Sequence, residues 1–83
     1  MDLKELRVQI DEIDRQMVEL FDRRMRIAAG VAAYKKENGL PILDEKRENE
    51  VIERNSAFVE DEVLKEYYID YLKNVMSVSR SYQ

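Results

Sequence analysis

An all-α fold, with three helices per chain, one long N-terminal helix and a homodimeric pairing, is what this sequence predicts, and three observations carry the prediction. The 83 residues hold one proline and two glycines beside 39% charged residues, a composition rich in helix formers and poor in turn formers. Apolar residues recur with a 3.5-residue period through the first half of the chain. That half is longer than a globule of this size can enclose.

The first helix is expected over residues 2–38. Leu3, Leu6, Ile10, Ile13, Met17 and Leu20 follow a 3-4-3-4-3 spacing, the next step lands on Arg24, and the stripe resumes at Ile27, Val31 and Tyr34. No turn signal interrupts until Asn38-Gly39-Leu40-Pro41, where Gly39 suits a left-handed conformation and Pro41 blocks continuation. Such a helix rises roughly 50 Å, whereas a compact chain of this length has a radius of gyration of about 12 Å. Its stripe therefore calls for a second chain, most simply a two-fold partner with paired long helices.

A second helix is expected over residues 44–58. Asp44 is the N-cap, Glu45 and Glu48 suit the positive end of the helix dipole, and Val51, Ile52 and Phe58 form the apolar face. The weak helix formers Asn55-Ser56-Ala57 announce its end. A third helix follows over residues 61–82, with Leu64, Tyr68, Leu72, Val75 and Met76 inward. Ser79 and Gln83 continue from Val75 at i, i+4 spacing, so the buried face turns polar as the helix ends. These spans make residues 1–83 a single domain.

Composition excludes several function classes. A net charge of −4 opposes non-specific nucleic-acid binding, and Arg23, Arg24 and Arg26 point in different directions around a helix instead of forming a basic patch. No stretch is long and apolar enough to span a membrane, and Asp2, Lys4, Glu5 and Arg7 interrupt any secretory signal, which points to the cytoplasm. With neither Cys nor His there is no disulfide, no thiol nucleophile and no usual zinc or haem ligand, so no metal or cofactor is expected. Chemistry must come from Arg, Lys, Asp, Glu, Ser, Tyr or Gln.

Arg24 is the charge that breaks the packing stripe. An unpaired guanidinium in a seam costs several kcal/mol, so an anion is expected there, either a ligand or an internal ion-pair partner, unless the side chain snorkels to water. Lys35 lies eleven residues further, three turns and roughly 16 Å along the same side, across Ala28, Val31 and Ala32, whose small side chains leave room for a compact dicarboxylate. Without Arg24, Lys35 would read as a solvated lysine favoured by the dipole at a helix C-terminus. Arg7 is roughly 25 Å from Arg24 on one helix, too far to share a small ligand, but an antiparallel partner would bring its own Arg7 near. Otherwise Arg7 pairs with Asp11 at i, i+4. Glu48 is either an acceptor for a ligand hydroxyl or a capping group, and Ser79 and Gln83 either share a ligand or form a solvated last turn.

The run Leu6-Arg7, Ile10-Asp11, Ile13-Asp14, Arg24, Lys35, Leu40-Pro41, Asp44 and Arg47-Glu48, closed by Ser79 and Gln83, resembles the all-helical class of chorismate mutases over nearly the whole chain. The spacing from Arg7 to Glu48 needs no gap, and the third helix aligns after a small shift in the preceding loop. The resemblance implies an intertwined dimer with shared sites and the Claisen rearrangement of chorismate to prephenate, toward phenylalanine and tyrosine. It casts Arg24 and the partner chain's copy of Arg7 as carboxylate clamps, with Arg47 supporting the charge and Ser79 adding a contact. Lys35 and Gln83 would serve the ether oxygen, Lys35 also a carboxylate, and Glu48 with the Asp44 backbone N–H the ring hydroxyl. A unimolecular pericyclic reaction needs no nucleophile, metal or redox cofactor, which suits a chain lacking His and Cys.

Two alternatives stand beside it. An isochorismate pyruvate lyase shares the fold, and a non-catalytic helical dimerisation or regulatory module would explain the stripe but not the gap-lining alanines or the polar end of the third helix. Association or fusion with another aromatic-pathway enzyme is also compatible with a chain that ends at Gln83.

Overall fold

The computed structural model describes residues 1–83 as three helices and no strand: α1 Leu3–Glu37, α2 Glu45–Ser56 and α3 Glu62–Tyr82. Each begins at an aspartate that accepts from the first free backbone N–H groups. Asp2 receives the Glu5 N–H at 2.9 Å while the Glu5 carboxylate accepts from the Asp2 N–H, a reciprocal capping box. Asp44 receives the Arg47 N–H at 3.0 Å, and Asp61 receives those of Val63 and Leu64 at 2.8 and 3.1 Å.

The end of α1 is as locally determined as its start. Gly39 adopts φ +65°, the left-handed conformation expected of it, so that the Leu40 N–H reaches back to the Lys35 carbonyl at 2.8 Å and the Asn38 side chain donates to the Tyr34 carbonyl. The chain then turns through Pro41 toward α2.

α3 is the hub of the fold. It packs on α2 and on α1, which do not pack on each other, so the first two helices stand apart as walls on a common base. Leu72, Met76 and Ser79 of α3, Ala28 of α1 and Ser56 of α2 are the buried residues. Tyr68, Ile69 and Val75 are half-buried beside them.

Two expected core positions lie outside this core. Leu64 is 57% exposed, because eight residues at about 100° each set it about 80° away from the line through Leu72. Phe58 is 78% exposed, since α2 stops at Ser56 and the Phe58 and Val59 N–H groups close turns onto Asn55 and Ser56; Val59 turns inward instead.

The stripe of α1 is not covered by its own chain. Leu3, Leu6, Ile10, Ile13, Met17, Leu20, Ile27, Val31 and Tyr34 are all exposed, Ile27 by 71%. The chain extends 53 Å in its long dimension with a radius of gyration of 15.8 Å, well beyond the roughly 12 Å of a compact chain. No helix is long and apolar enough to cross a membrane.

Candidate active site

A cleft of about 840 Å³ opens between the α1 and α2 walls above α3. α1 supplies Arg24, Ala28, Val31 and Lys35, the beginning of α2 supplies its N-cap Asp44 with Arg47 and Glu48, and the last turn of α3 supplies Ser79 and Arg80 with Gln83 as its C-cap. Seven of the eight side chains singled out in the sequence thus line one space. Arg7 does not, and it makes no ion pair with Asp11, because the observed pairs are Arg26–Asp22, Lys65–Glu62 and Arg80–Glu48. Ala32 also lies outside the lining, leaving Ala28 and Val31 as the small residues between Arg24 and Lys35.

Arg24 meets neither an internal carboxylate nor a buried seam within the chain. It is exposed toward the cleft, and its guanidinium donates to the Ser79 hydroxyl, a neutral partner that orients the charge without neutralising it. Four of its five N–H donors stay free. Lys35 is half-buried rather than a solvated terminal lysine, and its ammonium donates to the Ile42 carbonyl at 2.7 Å, which ties the end of α1 to the loop before α2 and leaves two donors.

At the start of α2, Asp44 caps with its side chain, while its own N–H has no partner within the chain. Arg47 and Glu48 follow on the cleft side, where the positive end of the helix favours anions. The Glu48 carboxylate does not cap the helix. Arg80 holds it, with Nη1 donating to Oε1 and Oε2 at 2.6 and 2.5 Å.

Gln83 is tied by its backbone N–H to the Ser79 carbonyl at 3.1 Å, and its side-chain oxygen is buried in the cleft with no hydrogen-bond partner. The Gln83 side chain is half-buried against the cleft, and the Ser79 hydroxyl is buried beneath Arg24. Ser79 and Gln83 are therefore not a solvated last turn.

Arg80 is the functional candidate that sequence reasoning missed. The signal was there: the row Leu64, Tyr68, Leu72 and Met76 reaches position 80 at its next step, and a charge at that step is the same kind of interruption as Arg24 on α1. Arg23 and Arg26 also border the cleft, Arg26 paired with Asp22 outside it, so six cations line a space with two carboxylates, Asp44 and Glu48, within a chain of net charge −4. No group of three or more Asp, Glu, His or Cys converges to hold a metal.

A cationic cleft in a bundle of helices, with two carboxylates, one hydroxyl and one amide on its lining, suits a small polar anion. The comparisons name the family: the pattern "Chorismate mutase type II" matches residues 6–83, and the chain belongs to the type II chorismate mutase family.

Among curated relatives, the chain is 40% identical over 52 residues to the chorismate mutase of Methanocaldococcus jannaschii, a match covering 63% of this chain and 52% of that protein. It is 38% identical over 53 residues to the bifunctional chorismate mutase/prephenate dehydratase of Aquifex aeolicus, covering 64% of this chain and 15% of that protein. To the T-protein of Haemophilus influenzae it is 41% identical over 46 residues, or 55% of this chain and 12% of that one. The match thus spans about half the length of one relative and a small part of the others. The fold is shared with a solved conserved hypothetical protein from Pyrococcus furiosus at TM-score 0.77 and 36% identity, covering 96% of this chain and 92% of that one.

Proposed function

We propose that the chain is a chorismate mutase, catalysing the Claisen rearrangement of chorismate to prephenate in phenylalanine and tyrosine biosynthesis in the cytoplasm. The observation that carries this reading is the convergence of Arg24, Lys35, Arg47, Glu48 and Gln83 on one cleft. As the ether carbon–oxygen bond breaks and the new carbon–carbon bond forms, negative charge grows on the ether oxygen. Lys35 and the Gln83 amide donate to that oxygen, Lys35 also serving a carboxylate. Arg24, Arg47 and Ser79 fix the carboxylates, and Glu48 with the free Asp44 N–H holds the ring hydroxyl.

The rate enhancement then comes from holding the flexible substrate in its compact reactive shape and from donors already aimed at the developing charge. Neither step requires a cofactor.

The site is completed by a second copy of the chain, whose Arg7 reaches the carboxylate end. The exposed α1 stripe supports an intertwined homodimer, since covering nine apolar side chains contributes on the order of 10 kcal/mol per chain, at about 25 cal/mol per Å². Fusion or association with a further aromatic-pathway enzyme belongs to the same proposal, the Aquifex relative being bifunctional by name.

Loss of chorismate absorbance in the presence of the purified chain tests the activity, with isochorismate assayed in parallel. Preference for isochorismate would replace the mutase with the lyase, and turnover of neither would leave a dimerisation module. Arg7→Ala and Arg24→Ala, each inactive alone, test the shared site. Mixed under exchange, their heterodimer has one intact site and one lacking both residues, so up to half of wild-type activity returns. Demonstrated exchange without recovery rules out a site shared across the dimer.

A further inference from the structure

We infer that Arg80 is a positioning residue for the mutase reaction, fixing the Glu48 carboxylate in the orientation that accepts the substrate hydroxyl. The inference rests on the reading of Glu48 above. Glu48 sits in the first turn of α2 and Arg80 in the last turn of α3, 32 residues apart in sequence. A single nitrogen of Arg80 straddles both carboxylate oxygens, and the two side chains are 32% and 25% exposed, so the pair is partly withdrawn from water.

A glutamate side chain has three rotatable torsions, and its freedom must be removed before it can accept one hydrogen bond from a ligand at a set angle. In this chain the Arg80 nitrogen restrains that freedom by holding both carboxylate oxygens. A carboxylate offers about four acceptor sites, of which Arg80 occupies two, so the clamp leaves capacity for the substrate. Binding then meets a prepared acceptor.

The placement of Arg80 in α3 gives the clamp a second consequence. Within one turn, Ser79 reaches the α1 wall through Arg24, Arg80 reaches the α2 wall through Glu48, and Gln83 lies in the cleft between them. α1 and α2 have no packing of their own. Two adjacent side chains of α3 thus join the carboxylate clamp on one wall to the hydroxyl acceptor on the other, in addition to the helix packing and the Lys35–Ile42 hydrogen bond. Ser79 and Arg80 act as paired struts.

The test is a kinetic double-mutant cycle on the full chain. Arg80→Met keeps the linear stem and removes the charge, and kcat/KM falls about tenfold, in the middle of the range for residues of one ion-pair network. Arg80→Lys, which can place one nitrogen between the same two oxygens, restores most of that loss and serves if the methionine variant does not fold. Glu48→Ala removes the acceptor that Arg80 holds, and in the residual turnover of that background Arg80→Met costs less than twofold, because Arg80 acts through the Glu48 carboxylate.

An undiminished kcat/KM in Arg80→Met overturns the inference. So does an equal tenfold loss in the Glu48→Ala background, which makes Arg80 a direct substrate contact. Absence of chorismate turnover by the wild-type chain removes the mutase reading, and this inference with it.

Discussion

On the proposed reading, Gln83 sets how the reaction answers to pH. An amide donates at every accessible pH, so the donor beside Lys35 never has to be protonated, and turnover is expected to stay nearly flat from mildly acidic to mildly alkaline solution. A steep fall between pH 5 and 8 with the fold intact would contradict that role. Gln83→Glu turns the donor into a group that donates only when protonated, so its activity is confined to acidic solution and declines as pH rises. Lys35 is expected to matter more. Lys35→Met removes a charged donor to the same oxygen and raises the barrier by roughly 3–4 kcal/mol, a loss of about two to three powers of ten in kcat. Both variants are read by steady-state kinetics, with circular dichroism confirming the helices.

The helices were legible because their signals are local. Asp2, Asp44 and Asp61 each bond to backbone N–H groups two or three residues on, and Gly39 ends α1 by a conformation that its missing Cβ permits. Asp61→Ala should therefore lower stability by about 1 kcal/mol, seen as a denaturant midpoint shift, while KM for chorismate stays unchanged because Asp61 is not in the cleft. An altered KM would mean that the cap also positions the last turn of α3. What the pattern misassigned was rotation. Leu64 shares the 4-residue row of Leu72 and Met76, yet each such step drifts about 40° around the axis, and over two steps the row leaves the packed face. Phe58 was misassigned because a turn, not a helix, carries it.

At the scale of the molecule, the uncovered stripe of α1 is expected to tie stability to association. A chain with three buried apolar residues, Ala28, Leu72 and Met76, has little core of its own. The unfolding midpoint is expected to rise with protein concentration, as mass action requires when folding and pairing are coupled. Sedimentation should give about twice the 9.9 kDa chain mass. A 9.9 kDa species that unfolds cooperatively with a concentration-independent midpoint would leave Arg7 without a route to the site.

Periodicity, capping and the two polar interruptions at Arg24 and at the end of the third helix were determined by the sequence alone. They arise from groups within about four residues of one another, or from the fixed 100° step of a helix. The identity of each charge's partner was decided only by the tertiary structure. Arg24 faced a choice of anions and took the Ser79 hydroxyl, 55 residues away; Glu48 was open between cap and acceptor and was taken by Arg80. Such pairings depend on how far each helix is rotated and displaced against the others. No local pattern encodes that rotation, because it is settled by the packing of α3 against two walls at once.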